Sequence, residues 1–244
     1  MSLTSASPSA AKPAHPRDGL SLRQAALIAG FAYLLSPVTT AEFTIMPKLV
    51  IPGNLDQTVQ NLVAHERLFS VAILCYFVTF IEDIVIAWAL YFLLAPVNKA
   101  VSLLTAGFRL VYTAVALFAV LPLVAVQHLT KSPNFVELFG FAPLHAQVKL
   151  LLDSFRWDWS FSLVIFGIHL ILLGCLIYRS GYIPRILGVL LVIDGAGWVT
   201  DSLQPYLYPN AHLDFLFVTF FGELFFMFWL LIRGWKVREP EAAS

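Results

Sequence analysis

Five of the six apolar stretches in this 244-residue chain carry an ionisable residue at nearly one depth. Glu82 and Asp83 lie in the second, Arg109 in the third, His169 in the fourth, Asp194 in the fifth and Glu223 in the sixth. Acids and a histidine in that setting are the usual material of proton relays and of sites for ions or charged small molecules. Counted from one common end of the stretches, they sit about 9 to 12 positions in. At 1.5 Å per residue that is roughly 14–18 Å, and the middle of a hydrocarbon core lies about 15 Å down. A charge there is costly on an isolated helix, so these groups must face a bundle interior and one another. Four acids against one arginine leave excess negative charge, to be relieved by protonation, a bound cation or a cationic ligand.

The elements that must hold these residues read as an all-α, polytopic integral membrane bundle of six transmembrane helices, with a short interfacial helix on the outer side. Composition agrees: 59% of residues are hydrophobic and 12% charged, against about 25% charged in soluble domains. The spans are expected near Gln24–Ala41, Leu68–Leu94, Val101–Val126, Trp157–Tyr178, Ile186–Leu203 and Phe215–Ile232. Residues 1–21 and 237–244 read as cytoplasmic tails, the first of them disordered, flanking one transmembrane domain at 22–236. The run ending at Val38-Thr39-Thr40-Ala41 has the small residues of a signal-peptide cleavage site, but the long tail before it favours an uncleaved anchor. Asn54 and Gln57 form a capping-box pattern, opening a helix that should run directly into span two. In the polar segment 127–156, Leu144, Val148, Leu151, Leu152 and Phe155 recur at helical spacing, which predicts a short helix lying on the membrane surface. Lys12, Arg17, Arg23, Lys99, Arg179, Arg185, Arg233, Lys236 and Arg238 gather on one side, which places both termini in the cytoplasm.

Polar stripes lead from the midplane toward the outer side. Asp158, Ser162 and His169 share one helical face, as do Asp194 and Asp201. Thr79 lies near Glu82 and Asp83, and Thr219 near Glu223. The cytoplasmic halves of the spans are almost bare of polar side chains, so the simplest geometry is a cavity open outward and sealed beneath. The outer histidines His65, His128, His145 and His212 lack metal-ligand spacing and read as solvated loop residues, so no metal is assigned. Gly181, Gly188, Gly195 and Gly197 mark close helix packing around span five. Cys75 and Cys175 should fall in opposite leaflets, too far apart for a disulfide. No nucleotide-binding glycine pattern, nucleophile elbow or Cys-x-x-Cys is present, no catalytic residue is assigned, and zero net charge gives no reason to expect nucleic acid.

From Arg23 to Trp235 the chain resembles an uncharacterised bacterial membrane family known only as a domain of unknown function (Domain of Unknown Function 4386). The resemblance rests on FGIHLILLGCLIYRSGYIPRILGVLLVI at 166–193, AEF at 41–43, KLVIPG at 48–53, APVNK at 95–99, FRL at 108–110, LHA at 144–146, GE at 222–223 and WLLIRG at 229–234. It implies a multi-pass inner-membrane protein with no established activity. Glu42, Asp83, Arg109, His169, Asp201 and Glu223 coincide with the residues of the family pattern. Glu82 and Asp194 depart from it, where small or apolar residues are usual. Phe155 stands where a histidine is common, which weakens any metal reading near the outer helix.

The sequence therefore points first to a small-molecule or ion transporter or binding protein built on Asp83, Arg109, His169 and Glu223. Glu42, Glu82, Asp158, Ser162, Asp194 and Asp201 are secondary candidates. Its partners are the lipid bilayer and a small-molecule or proton ligand, and its cofactor and oligomeric state stay open. An intramembrane enzyme acting on a lipid or quinone, with His169 as base, and a structural or assembly subunit are the competing readings. No inverted repeat is visible, and no span reads as broken at its centre. Arg109 is expected to pair with Asp83 or Glu82.

Overall fold

A computed structural model describes residues 19–132, 137, 140–211 and 213–237, so the predicted tail residues 1–18 and 238–244, together with His212, lie outside the described residues. Those residues are helical, with no strand among them. Helix α1 (Leu22–Thr39) starts at a reciprocal capping box, in which Ser21 Oγ accepts from the Gln24 N–H and the Gln24 side chain accepts from the Ser21 N–H. Two single-turn helices follow, α2 (Ala41–Thr44) and α3 (Met46–Leu49), and then α4 (Leu55–Ala64). The long helices are α5 (Glu66–Leu94), α6 (Lys99–Lys131), α7 (Phe141–Ser180) and α8 (Arg185–Leu207). A 3₁₀ segment (Asp214–Thr219) then leads into α9 (Gly222–Arg233).

In space α1, α5, α6, α7, α8 and α9 pack in that order, and α9 returns to α1 to close a ring. Five segments are long and apolar enough to cross a membrane, the first being α1 to α3 taken together. Large apolar side chains cover the outside of the ring: Leu74, Leu103, Phe118 and Ile186 are each more than 60% exposed. Apolar area on that scale requires a lipid or protein cover rather than water. At one end, which carries α2–α4 and the start of α7, the interior is open; we call this the cap end. At the other end Leu90, Leu93, Leu170, Leu173, Leu191 and Leu230 are buried together and fill it.

The structure corrects four expectations. The sixth segment is not one helix across Phe215–Ile232. It is interrupted at Phe220–Phe221, and α9 has only 12 residues, about 18 Å against a core of about 30 Å. This apolar segment is thus two short helical pieces joined by a turn, and it is not among the five long enough to cross.

The interfacial helix, second, does not exist as a separate element. Its residues are the first part of α7, a continuous helix of 40 residues and about 60 Å. Leu144, Val148, Leu152 and Phe155 are buried as the periodicity requires, but α4 and α6 cover them in place of a membrane surface. His145 Nδ1 meets Asp56 Oδ1 at 3.0 Å across the α4–α7 contact.

Third, α4 stops short of α5. Asn54 caps it as predicted, accepting from the Gln57 N–H at 3.0 Å, but the Gln57 side chain turns forward to Asn61 rather than back. His65, at φ −114° and ψ 39°, breaks the helix before Glu66.

The glycines of span five, finally, divide. Gly188 and Gly195 do pack backbone to backbone against Gly174 and Gly167 of α7: a Cβ added at Gly167 would lie 2.6 Å from the Gly195 carbonyl oxygen, and one at Gly188 2.6 Å from that of Gly174. Gly197 lies under Thr219 of the 3₁₀ segment. Gly181 touches nothing and serves instead as the left-handed residue, φ +74°, that ends α7.

A candidate ligand chamber at the centre of the ring

Arg109 is the hub. It lies in the first third of α6, 3% exposed, on the face toward the ring centre. Its Nε and Nη2 both donate to Asp83 Oδ1, at 3.0 and 2.6 Å. Nη1 lies 2.8 Å from the Tyr33 hydroxyl of α1, 3.2 Å from His169 Nε2 of α7 and 3.4 Å from Glu223 Oε1 of α9. The Tyr33 ring stands 5.0 Å from the guanidinium carbon and the Phe166 ring 5.4 Å, within cation–π range. Five helices of the ring thus converge on one cation. Matching depth brings the charged members of this group together, because antiparallel helices of constant rise align equal depths, but it also selects Glu82 and Asp194, which turn elsewhere.

The imidazole of His169 has a defined tautomer. Its Nδ1 lies 2.8 Å from the Thr105 carbonyl oxygen, which can only accept, so Nδ1 carries the proton. The guanidinium can only donate, so Nε2 offers its lone pair. Both nitrogens are engaged, and the ring is fully buried.

The remaining candidates separate by what they touch. Glu82 faces α1, where it accepts from Thr39 at 3.0 Å and Ser36 at 3.3 Å; Arg109 is paired through Asp83 alone of the two neighbours. Asp194 is fully buried and accepts the backbone N–H of Glu223 at 3.0 Å, so it caps the first turn of α9 from the side. The same contact accounts for Gly222, where a Cβ would lie 2.8 Å from both Asp194 Oδ2 and the Leu190 carbonyl oxygen. Ser162 is buried on α7 and bonds the Trp159 carbonyl at 2.6 Å. Asp158, predicted on the same face, is exposed, and neither it nor half-buried Asp201 lines the chamber. Glu42, in α2, accepts from the Tyr76 hydroxyl at 2.6 Å.

A cavity of about 170 Å³ has Arg109, Asp83 and Glu223 at its inner part and Glu42, Thr40 and Tyr76 toward the cap end, while His169, Glu82, Asp194 and Ser162 stand behind its wall. Its wall is aromatic: Tyr112, Trp159, Phe166 and Trp198 all line it. A second cavity of about 660 Å³ shares Tyr33, Glu42, Trp159, Trp198 and Glu223 with the first, and continues past Phe220, Phe221, Leu224 and Met227. This vestibule lies beside the break in the sixth segment. Phe43 and Phe221, 73% and 38% exposed, mark its edge.

Sequence reasoning does not single out Tyr33, Tyr76, Trp159 or Trp198 for the site. A tyrosine inside an apolar run and a tryptophan near a span end read as core and belt. Only the tertiary structure turns them inward. Among the described residues no cluster of three or more metal-ligating side chains occurs.

Fold and site together define an all-helical ring, with five segments long and apolar enough to cross a membrane, around a charged, aromatic-walled chamber. By sequence the chain belongs to the family described as a domain of unknown function (DUF4386), which it matches over residues 28–234. A relative from Archaeoglobus fulgidus, described as an uncharacterized protein, is 37% identical over 163 residues, which cover 67% of this chain and 83% of the relative. No solved structure matches the chain significantly.

Proposed function

We propose that this is an inner-membrane protein with both termini cytoplasmic, which binds a small molecule in the central chamber and presents or carries it from the cap end. The broken segment serves as its sixth crossing. Irregular backbone at membrane depth is tolerated where it lines a cavity, and discontinuous helices are the usual builders of midplane binding sites. The observation that carries the reading is the convergence of α1, α5, α6, α7 and α9 on a chamber beside that break. A bundle that used its charges only for pairing would have no need of the space.

His169 is not the base of this site. With one nitrogen on a backbone carbonyl and the other on a guanidinium, it has no position left for a substrate proton. It holds Arg109 in place, and any proton or ligand exchanged with the chamber meets Asp83, Glu223 or Glu42. The intramembrane-enzyme reading loses its base by the same geometry.

The test is purification of the full chain in native lipid, followed by extraction and mass spectrometry. A small molecule should accompany the wild-type protein and be lost from Leu163→Trp, since Leu163 lines both cavities and the indole would obstruct the space where they join. Identical extracts from the two proteins would overturn the reading.

A further inference from the structure

The chamber has a sign, and its walls have a chemistry. Arg109 is largely engaged: Nε and Nη2 donate to Asp83, Nη1 faces Tyr33, His169 and Glu223, and its faces are covered by Tyr33 and Phe166. Against that one cation stand Asp83, Glu223 and, toward the cap end, Glu42. Asp83 is 4% exposed, and its Oδ2 accepts no hydrogen bond from the described residues. A buried carboxylate oxygen left without a donor, in the wall of a cavity, calls for a donor there, and the excess of acids over Arg109 favours one that is cationic.

An anion would meet three carboxylates and little unclaimed donor capacity. A bare metal ion would need several converging oxygens, and no such cluster is present among the described residues. What the chamber does offer is π-faces. Tyr112, Trp159 and Trp198 line it beside the acids, the arrangement that favours an organic ammonium over a hydrated inorganic ion. Beyond them the vestibule turns apolar, with Phe220, Phe221, Leu224 and Met227 on its walls.

Building on the chamber reading above, we infer that the ligand is an organic ammonium with an apolar body. Its cationic head sits among Glu42, Asp83, Glu223, Trp159 and Trp198, and its tail leaves through the vestibule beside the break before α9. Asp194, on this view, is a positioning residue: it fixes the first turn of α9 and with it Glu223.

Three probes with one tail and different heads separate the possibilities: hexyltrimethylammonium, hexanol and hexyl sulfate. The full chain is placed in lipid nanodiscs, with empty nanodiscs as the blank. Binding of radiolabelled hexyltrimethylammonium should be saturable, and displacement by hexanol or hexyl sulfate should need at least tenfold more competitor than the unlabelled ammonium. Glu42→Gln and Glu223→Gln should each weaken binding fivefold or more. Both keep an oxygen to accept from Tyr76 or Arg109, and Glu42 lies far enough from the hub to be read if Glu223→Gln fails to fold. Hexanol competing as well as the ammonium would overturn the charge preference and leave the chamber reading standing. Saturable binding indifferent to Glu42→Gln would place the probe elsewhere and overturn the inference. Failure of all three probes to bind saturably would overturn the inference and count against the chamber reading as well.

Discussion

Two seams of the ring differ in how their backbones meet. Between α7 and α8, Gly167 faces Gly195 and Gly174 faces Gly188, so main chain touches main chain at two levels seven residues apart. Between α1 and α9 the contact is tight only at the sealed end, and less so, where a Cβ on Gly30 would lie 3.1 Å from Leu230 Cβ and one on Gly234, just past α9, 3.0 Å from Ala26 Cβ. Toward the cap end that seam opens into the vestibule, because the segment before α9 leaves helical geometry at Phe220–Phe221. One seam is a clamp along its length; the other is a clamp below and a cleft above. The comparison teaches that the chamber owes its space to an interrupted helix rather than to small side chains, since the small residues lie mainly where there is no space at all.

The hub that both seams enclose should respond most strongly to substitution. Arg109→Ala leaves Asp83 buried without its partner and should cost about 3–5 kcal/mol, read as a fall in melting temperature and yield. Removing both charges together, as Asp83→Leu with Arg109→Met, should recover much of that loss. Equal stability of the single and double variants would show that the pair carries no coupling.

A smaller effect is expected at the clamp. Gly195→Val would drive a Cβ into the α7 backbone and should destabilise by up to about 3 kcal/mol, whereas the same change at Gly181 acts only through its left-handed φ. A clamp indifferent to valine would mean that the two seams do not differ as described.

The smallest effect sharpens the comparison most. Asp194→Ala removes the cap of α9 and should cost about 1–2 kcal/mol. Hydrogen exchange should rise at Glu223 and the next few amides of α9 while α7 and the inner part of α8 stay protected. Uniform loosening of the whole ring would show that the break is not an independent element.

What the sequence discloses, and what it hides, follows from how each feature is encoded. Depth is encoded by residue count, so counting alone places Asp83, Arg109, His169 and Glu223 together. Rotation is encoded less firmly. Asp158, Ser162 and His169 share a face on an ideal helix, yet Asp158 is exposed one turn from fully buried Ser162, because a shared face does not fix what stands opposite it at each level. The break in the sixth segment is invisible in the sequence because Phe215–Ile232 is apolar almost throughout, and its one marker, Gly222, makes sense only beside Asp194 and Leu190. Asp194 itself stands as an exception to the family pattern and so as a weak candidate; its role is to hold backbone, which residue type alone does not announce. The start of α7 reads as surface-bound because its amphipathic pattern does not say whether lipid or another helix, here α4, covers the apolar face.

The closed ring has a consequence for biosynthesis. Helices α5 and α6 emerge from the ribosome as neighbours joined by a four-residue link, Ala95–Asn98, and the Asp83–Arg109 bond lies within that hairpin. On the proposed membrane reading, these two buried charges can therefore enter the bilayer already matched, as one neutral unit. Tyr33 is by then in place, His169 arrives with α7, and Glu223 comes last, delivered by the segment that closes the ring against α1. Until that final segment docks, the nascent protein holds its arginine with one acid and shows an open flank; Glu223, one of the two chamber acids in excess over Arg109, is the last added.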